Sequence, residues 1–237
     1  MVEQNQKVKG IVDIVFLIDA TGSMHPCITA LKNNIQTFVT GLTTKTANNS
    51  SPVKDWRAKV VGYRDYEFDK EPLIDNPFIS NVEELRMQLS RLEATGGEDE
   101  PESLLEAVFH LATMPQTAKG ETQKPDHWRH RSAATRVIVV FTDASFKEPL
   151  AKPKGATLQD VFAQLITNRV ILSIFAPQMP CYERLSEVDR SEWNVIEGGK
   201  TPQESMELYT SDQKNFTDVL LQLARTITKS ADVSIIE

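Results

Sequence analysis

The run Gly10-Ile11-Val12-Asp13-Ile14-Val15-Phe16-Leu17-Ile18-Asp19 leads directly into Ala20-Thr21-Gly22-Ser23-Met24. Its first ten residues are almost continuously apolar and rich in β-branched side chains. That is the pattern of a strand covered on both faces, not of one with a wet side. Asp13 interrupts the run and belongs near the strand's start. Far downstream, Thr135 to Thr142 (TRVIVVFT) repeats the pattern. Strands buried on both faces require helices on both sides of the sheet.

The intervening segments supply them. Between Pro26 and Gly41 the apolar positions Ile28, Leu31, Ile35, Phe38, Val39 and Leu42 recur every three or four residues, and Gly41 suits a helix end. Ala58 to Tyr66 reads as a second strand, and Pro72 to Ser80 holds a short third one. Asn81 caps a helix to about Leu92 that carries Val82, Leu85 and Leu89 on one face. Another helix starts near Pro101 and runs to about Met114. Leu158 to Thr167 is helical, Arg169 to Ala176 extended, Asn194 to Ile196 an edge strand, and Asn215 to Thr228 an amphipathic helix. Alternating strands and helices predict an α/β fold: a doubly wound, mostly parallel, Rossmann-like sheet flanked by helices on both faces. One domain over 11–230 is expected, with an extension at 1–10 and a tail at 231–237.

Composition narrows the function. The chain has 237 residues, 40% of them hydrophobic, enough for a core that excludes wholesale disorder. Its longest purely apolar stretches, Ile14 to Ile18 and Val137 to Phe141, are far too short for a membrane span. The first residues, MVEQNQKVKG, have no apolar core of a secretion signal, so a cytoplasmic protein is expected. Cys27 and Cys181 are too few and too distant for a disulfide framework. A net charge of −7 argues against a nucleic-acid partner.

The residues that carry chemistry follow the first strand. Asp19 is succeeded at i+2 and i+4 by the hydroxyls of Thr21 and Ser23, with Gly22 to bend the chain. Phe141-Thr142-Asp143-Ala144 places a second carboxylate after the other buried strand. Doubly wound topology sets these two strands side by side, so Asp19 and Asp143 share the crevice beyond their carboxyl ends. Two carboxylates that close repel unless a cation stands between them. Oxygen donors without His or Cys favour magnesium or manganese over zinc.

DIVFLIDATGSM, GGEDEPE and VIVVFTDA resemble a von Willebrand factor A domain with a metal-ion-dependent adhesion site, over roughly Ile11 to Thr228. The family's Asp-x-Ser/Thr-x-Ser signature matches Asp19, Thr21 and Ser23, and its aspartate after the fourth strand matches Asp143. The resemblance implies a divalent ion, Mg²⁺ or else Mn²⁺ or Ca²⁺, at the carboxyl edge of the sheet. It further implies that an acidic side chain of a partner protein completes the coordination. The middle loop departs from the pattern. Where the family usually has a threonine after Gly-Gly, Gly96-Gly97 is followed by Glu98-Asp99-Glu100-Pro101-Glu102. Asp99 stands in the threonine's place, as a direct or water-mediated ligand. Glu102 is a second candidate, because Asp-x-Pro-Glu resembles the corresponding loop of integrin β subunits. A third carboxylate brings the shell to about −3 before metal, which should hold the ion more firmly and leave it less electrophilic. Gly62-Tyr63-Arg64-Asp65-Tyr66 is similar to segments in the acidic-loop branch, which includes domains attached to atypical kinases and to bacterial secretion or stress systems.

Each motif also has a plainer reading. Asp, Thr, Gly and Ser all favour turns, and acids at Glu98 to Glu102 suit a helix start. His25, Cys27 and Cys181 are expected to be a solvent-facing histidine and two ordinary thiols, against a redox pair or soft-metal site. The basic connection Pro115 to Ala134 should lie at the pole opposite the metal, solvated, with Trp128 covering the sheet bottom. Docking of an acidic or phosphorylated partner there is the alternative. No Walker loop and no Ser-His-Asp arrangement can be assigned, and an aspartyl phosphatase would need an acid where Thr21 stands. The expected function is therefore a non-enzymatic, metal-dependent protein–protein interaction module. A regulatory subunit of a kinase or ATPase system and a magnesium-dependent phosphohydrolase are the alternatives.

Overall fold

The computed structural model describes residues 10–45, 53–97 and 100–232. Asp99, most of the expected 1–10 extension and most of the expected tail lie outside the described residues. The chain forms β1 (Ile11–Asp19), α1 (His25–Thr43), β2 (Asp55–Tyr63), β3 (Leu73–Asp75), α2 (Val82–Arg91), α3 (Leu104–Thr113) and β4 (Thr135–Phe141). There follow α4 (Leu158–Thr167), β5 (Val170–Pro177), α5 (Pro180–Leu185), β6 (Glu192–Ile196), α6 (Pro202–Ser211) and α7 (Gln213–Asp232). The strands form one sheet in the order β3-β2-β1-β4-β5-β6, parallel except for β3. The fold is the α/β arrangement that the alternating elements predict. Among the described residues no helix is long and apolar enough to cross a membrane.

β1 sits at the centre because it can be buried on both sides. Val12, Ile14, Phe16 and Ile18 join the core under α1, α2 and α7, while Val15 and Leu17 join the core under α3, α4 and α5. All six are fully buried. Asp13, the exception in the run, is fully buried too. It accepts from Arg57 Nη2 at 2.6 Å and from the Arg129 backbone N–H at 2.7 Å, with Arg129 Nη1 3.2 Å away. A buried charge survives only when paired this completely.

Several boundaries differ from expectation, each for a tertiary reason. α1 does not stop at Gly41, because that residue is where α7 crosses. A Cβ there would lie 2.9 Å from Leu221 Cδ2 and 3.2 Å from Ala224 Cβ. α2 begins as expected, with Asn81 Oδ1 accepting from Glu83 N (2.8 Å) and Glu84 N (3.2 Å). α3 starts at Leu104 instead of near Pro101, since Glu102 is drawn into a parallel bridge with Phe146. β2 ends at Tyr63 rather than Tyr66, because Arg64 turns away to hold neighbouring loops. α7 runs to Asp232, slightly beyond the expected domain end.

The basic connection is not simply solvated. Trp128 covers the sheet bottom as expected, fully buried with Nε1–H on Leu111 O at 2.8 Å. Arg129, however, is buried against Asp13 and Asp55, at 2.7 Å from the latter. Both cysteines are free. Cys27 belongs to the core on one face of the sheet and Cys181 packs against the core on the other, which separates them.

Candidate metal centre

The ends of β1 and β4 meet where the topology puts them, with Ile18 beside Phe141 in register. Asp19 closes β1 and is fully buried. Thr21 turns back on it, its N–H donating to Asp19 Oδ1 at 2.9 Å and its hydroxyl to the same oxygen at 2.7 Å. Thr21 Oγ1 and Ser23 Oγ lie 3.4 Å apart, and the Ser23 hydroxyl donates to Asp143 Oδ1 at 3.1 Å. Asp19, Thr21, Ser23 and Asp143 thus form one continuous arc of oxygens. Thr142 completes it from behind, donating to Asp19 Oδ2 at 2.9 Å. The sequence placed Thr142 in the motif without a role; its hydroxyl holds the second oxygen of Asp19.

Two glycines let the middle loop close over this arc. Gly96 and Gly97 have φ of +80° and +74°, a region that disfavours side chains. A Cβ on Gly97 would lie 2.6 Å from Thr21 Cβ. Gly22 N–H donates to Gly96 O at 3.3 Å, and Thr95 N–H to Ala20 O at 2.9 Å. Arg64 ties the same loops together. Its Nε donates to Ala20 O (3.2 Å), Nη1 to Glu71 O (3.2 Å) and Nη2 to Glu93 O (2.7 Å). Asp65, next in sequence, is buried beneath a salt bridge from Lys147 and accepts from Glu67 N–H at 2.7 Å.

Above the arc opens a cavity of about 200 Å³ lined by Thr21, Ser23, Glu100, Glu102, Asp143 and Gln203, among others. Glu102 is buried and Glu100 exposed. Asp99 lies outside the described residues, so the structure brings together four of the five expected ligands. Gln203 comes from α6, an element the sequence reading did not assign. Its signal was present: Thr201 caps the helix, Pro202 opens it, and Glu204 N–H donates to Thr201 Oγ1 at 3.1 Å.

Burial pushes the Asp143 carboxyl up to about 6, reinforced by the charge of Asp19 and opposed by the bond from Ser23. Burial raises Asp19 as well, against the bonds from Thr21 and Thr142. Asp143 Oδ2 is buried and has no hydrogen-bond partner among the described residues. Two buried carboxylates whose charged forms are disfavoured, an orphaned oxygen and two hydroxyls fit a hard divalent cation. Among the described residues no three His, Cys, Asp or Glu side chains gather into a metal-holding cluster; here hydroxyls supply half of the donors. Burial, aided by the charges of Asp143 and Asp19, drives the Cys27 thiol well up, which disfavours a thiolate ligand. His25 is exposed.

No family model matches the chain. An alpha-protein kinase from Dictyostelium discoideum, vwkA, is 25% identical over 169 residues, 67% of this chain. The chain spans about a quarter of that kinase, 24% of its length. Among solved structures, the pilus adhesin SpaC from Lactobacillus rhamnosus GG in its open conformation aligns with a TM-score of 0.50 at 13% identity. That alignment covers 96% of this chain and 31% of the adhesin. Proximal thread matrix protein 1 from the mussel byssus aligns with a TM-score of 0.50 at 12% identity, covering 88% of this chain and 49% of that one. At these identities the likeness concerns the fold alone.

Proposed function

We propose that this chain is a divalent-metal-dependent protein–protein interaction module of the von Willebrand factor A type. Asp19, Thr21, Ser23 and Asp143 would hold Mg²⁺ or a similar ion, and the ion would take an acidic side chain from a partner. One observation carries the proposal: the unbroken oxygen arc from Asp19 to Asp143, ending on a buried carboxylate oxygen that has no partner among the described residues. A lysine or arginine between the two aspartates would have undone it, and among the described residues none lines the cavity.

The residues divide the work by position. Thr142 and Thr21 fix the Asp19 carboxylate so that it cannot rotate away when the ion leaves. Ser23 does the same for Asp143 and, being exposed, stands where ion and solvent meet. When bound, the ion supplies a localised positive charge that anchors a carboxylate with defined geometry. The surrounding loops select the partner. Glu102 and Asp99 remain the middle-loop candidates.

A kinase-linked regulatory role is the second proposal, favoured by the match to part of an alpha-protein kinase. It uses the same site and differs only in the partner. In both, the cytoplasm is the compartment we propose.

The test is a pull-down in Mg²⁺, in chelator, and with Asp19→Ala. A partner retained only by the wild-type protein in Mg²⁺ supports metal-mediated contact. Equal retention in all three would overturn it.

A further inference from the structure

α6 reaches the cavity over Asp143 with its first turn, where Gln203 joins the lining. That turn is fixed in place. Thr201 Oγ1 accepts from Glu204 N–H at 3.1 Å, and Glu204 Oε2 accepts from Lys200 N–H at 2.8 Å. Ser205 Oγ accepts from Gly199 N–H at 3.2 Å and donates to Thr201 O at 2.9 Å, while Met206 is buried in the core. Gln203 itself is exposed, and its amide has no hydrogen-bond partner among the described residues. A rigid turn thus presents an amide that the fold does not use.

Side-chain donors are what the rest of the rim lacks. Glu100, Glu102 and Asp143 bring carboxylates, and Thr21 and Ser23 give their hydroxyl hydrogens to Asp19 and Asp143. Of the described residues that line the cavity, Gln203 has the only side chain bearing N–H. Glu98 and Asp99, outside the described residues, bear none on theirs. A partner's carboxylate on the ion has a second oxygen. In a rim of acceptors that oxygen goes without a hydrogen bond, a larger loss for a charged group than for a neutral one. α6 is ten residues long, and its N-terminal end adds a partial positive charge on the same side.

We propose that Gln203 is the second contact of the docking carboxylate: one oxygen goes to the ion held by Asp19, Thr21, Ser23 and Asp143, and the other accepts from Gln203 Nε2. This rests on the metal-dependent contact proposed above and adds the residue that reads the ligand as a carboxylate. The two features divide the cavity. Asp143 Oδ2, buried and without a partner among the described residues, calls for a cation, and Gln203 for the anion that follows it.

The test uses the full chain, isotope-labelled at nitrogen for NMR, and the capped tripeptide acetyl-Gly-Asp-Gly-amide. Spectra are recorded in Mg²⁺ and in chelator, with the Gln203 side-chain amide signals assigned by their loss in Gln203→Leu. Magnesium binding is measured separately by calorimetry without peptide. We expect the peptide to shift those signals in Mg²⁺ and not in chelator. Gln203→Leu should bind the peptide at least about threefold more weakly, and Gln203→Glu, which accepts and cannot donate, more weakly still. Gln203→Leu should take up magnesium as the wild type does, because Gln203 is exposed and is not one of the four ligands. A peptide that shifts the Ser23 and Ala144 backbone signals in Mg²⁺ but leaves the Gln203 amide unmoved overturns the proposal. So does a loss under about threefold in Gln203→Leu. A protein that binds magnesium and shows no peptide-induced shift overturns the carboxylate contact, and one that takes up no magnesium overturns the metal reading. Either takes this proposal with it.

Discussion

Asp143→Asn should do two opposite things to stability, and the pair of signs is diagnostic. Burial, reinforced by the charge of Asp19, raises the Asp143 carboxyl from the ordinary 3.8 to about 6. Between these values the native state binds more protons than the unfolded chain. Stability from this group is therefore present below about pH 4 and lost as pH rises through about 6. The full shift corresponds to about 3 kcal/mol, an upper figure because Asp19 shares the repulsion. Asparagine has the same shape, keeps an oxygen for the Ser23 hydroxyl and carries no charge. In chelator near pH 7.5 the variant should be more stable than wild type by about 1–3 kcal/mol, or roughly 2–10 °C in Tm. Magnesium should reverse the order. At about a hundredfold excess over Kd it adds about 2.7 kcal/mol to the wild type and little to the variant. Near pH 5 the difference in chelator should fall to about half, and near pH 4 it should largely close. Thermal unfolding of both proteins at these pH values, with chelator and with magnesium, reads all of these terms. A variant less stable than wild type in chelator at pH 7.5, or one that magnesium stabilises equally, refutes the reasoning.

Other consequences are independent of that one. Gly97→Ala places a Cβ 2.6 Å from Thr21 Cβ at a φ of +74°, so it should cost about 1–3 kcal/mol and weaken magnesium binding, measured by calorimetry. Unchanged affinity would free Thr21 from the site. Arg64→Lys leaves one ammonium to serve carbonyls from three segments; we expect a loss of about 1–3 kcal/mol and faster amide exchange at Gly22 and Thr95. Asp13→Ala takes the carboxylate from buried Arg57 and leaves Arg129 with Asp55 alone at the far pole, which should cost about 3–5 kcal/mol, with magnesium affinity retained in whatever fraction folds. Two thiols should remain titratable after mild oxidation, because Cys27 and Cys181 pack on opposite faces of the sheet; a monomer with none would contradict the topology.

Much of this molecule is legible from residue order, because the strongest signals are local and periodic. α4 spans Leu158 to Thr167 as its apolar spacing predicts, and Asn81 caps α2. Doubly wound topology brings Asp19 beside the residues after β4 without any long-range information beyond chain order. Legibility fails where a local preference is overridden by a distant neighbour. Gly41 reads as a stop and is a crossing point for α7. Arg64 reads as a strand residue and is a clamp on three loops. α5 has only six residues, and most of the stability of so short a helix comes from packing, which periodicity does not encode.

Asp19, Thr21, Ser23 and Asp143 are committed to one crevice by covalent spacing and strand order alone, since a buried parallel strand can deliver its following loop to only one edge of the sheet. The folded arrangement settles how their atoms meet. Thr142 turns onto Asp19, Gly97 clears room for Thr21, and Gln203 arrives from a helix far along the chain. Direction and distance between side chains depend on packing among segments remote in sequence, and no local pattern carries that information.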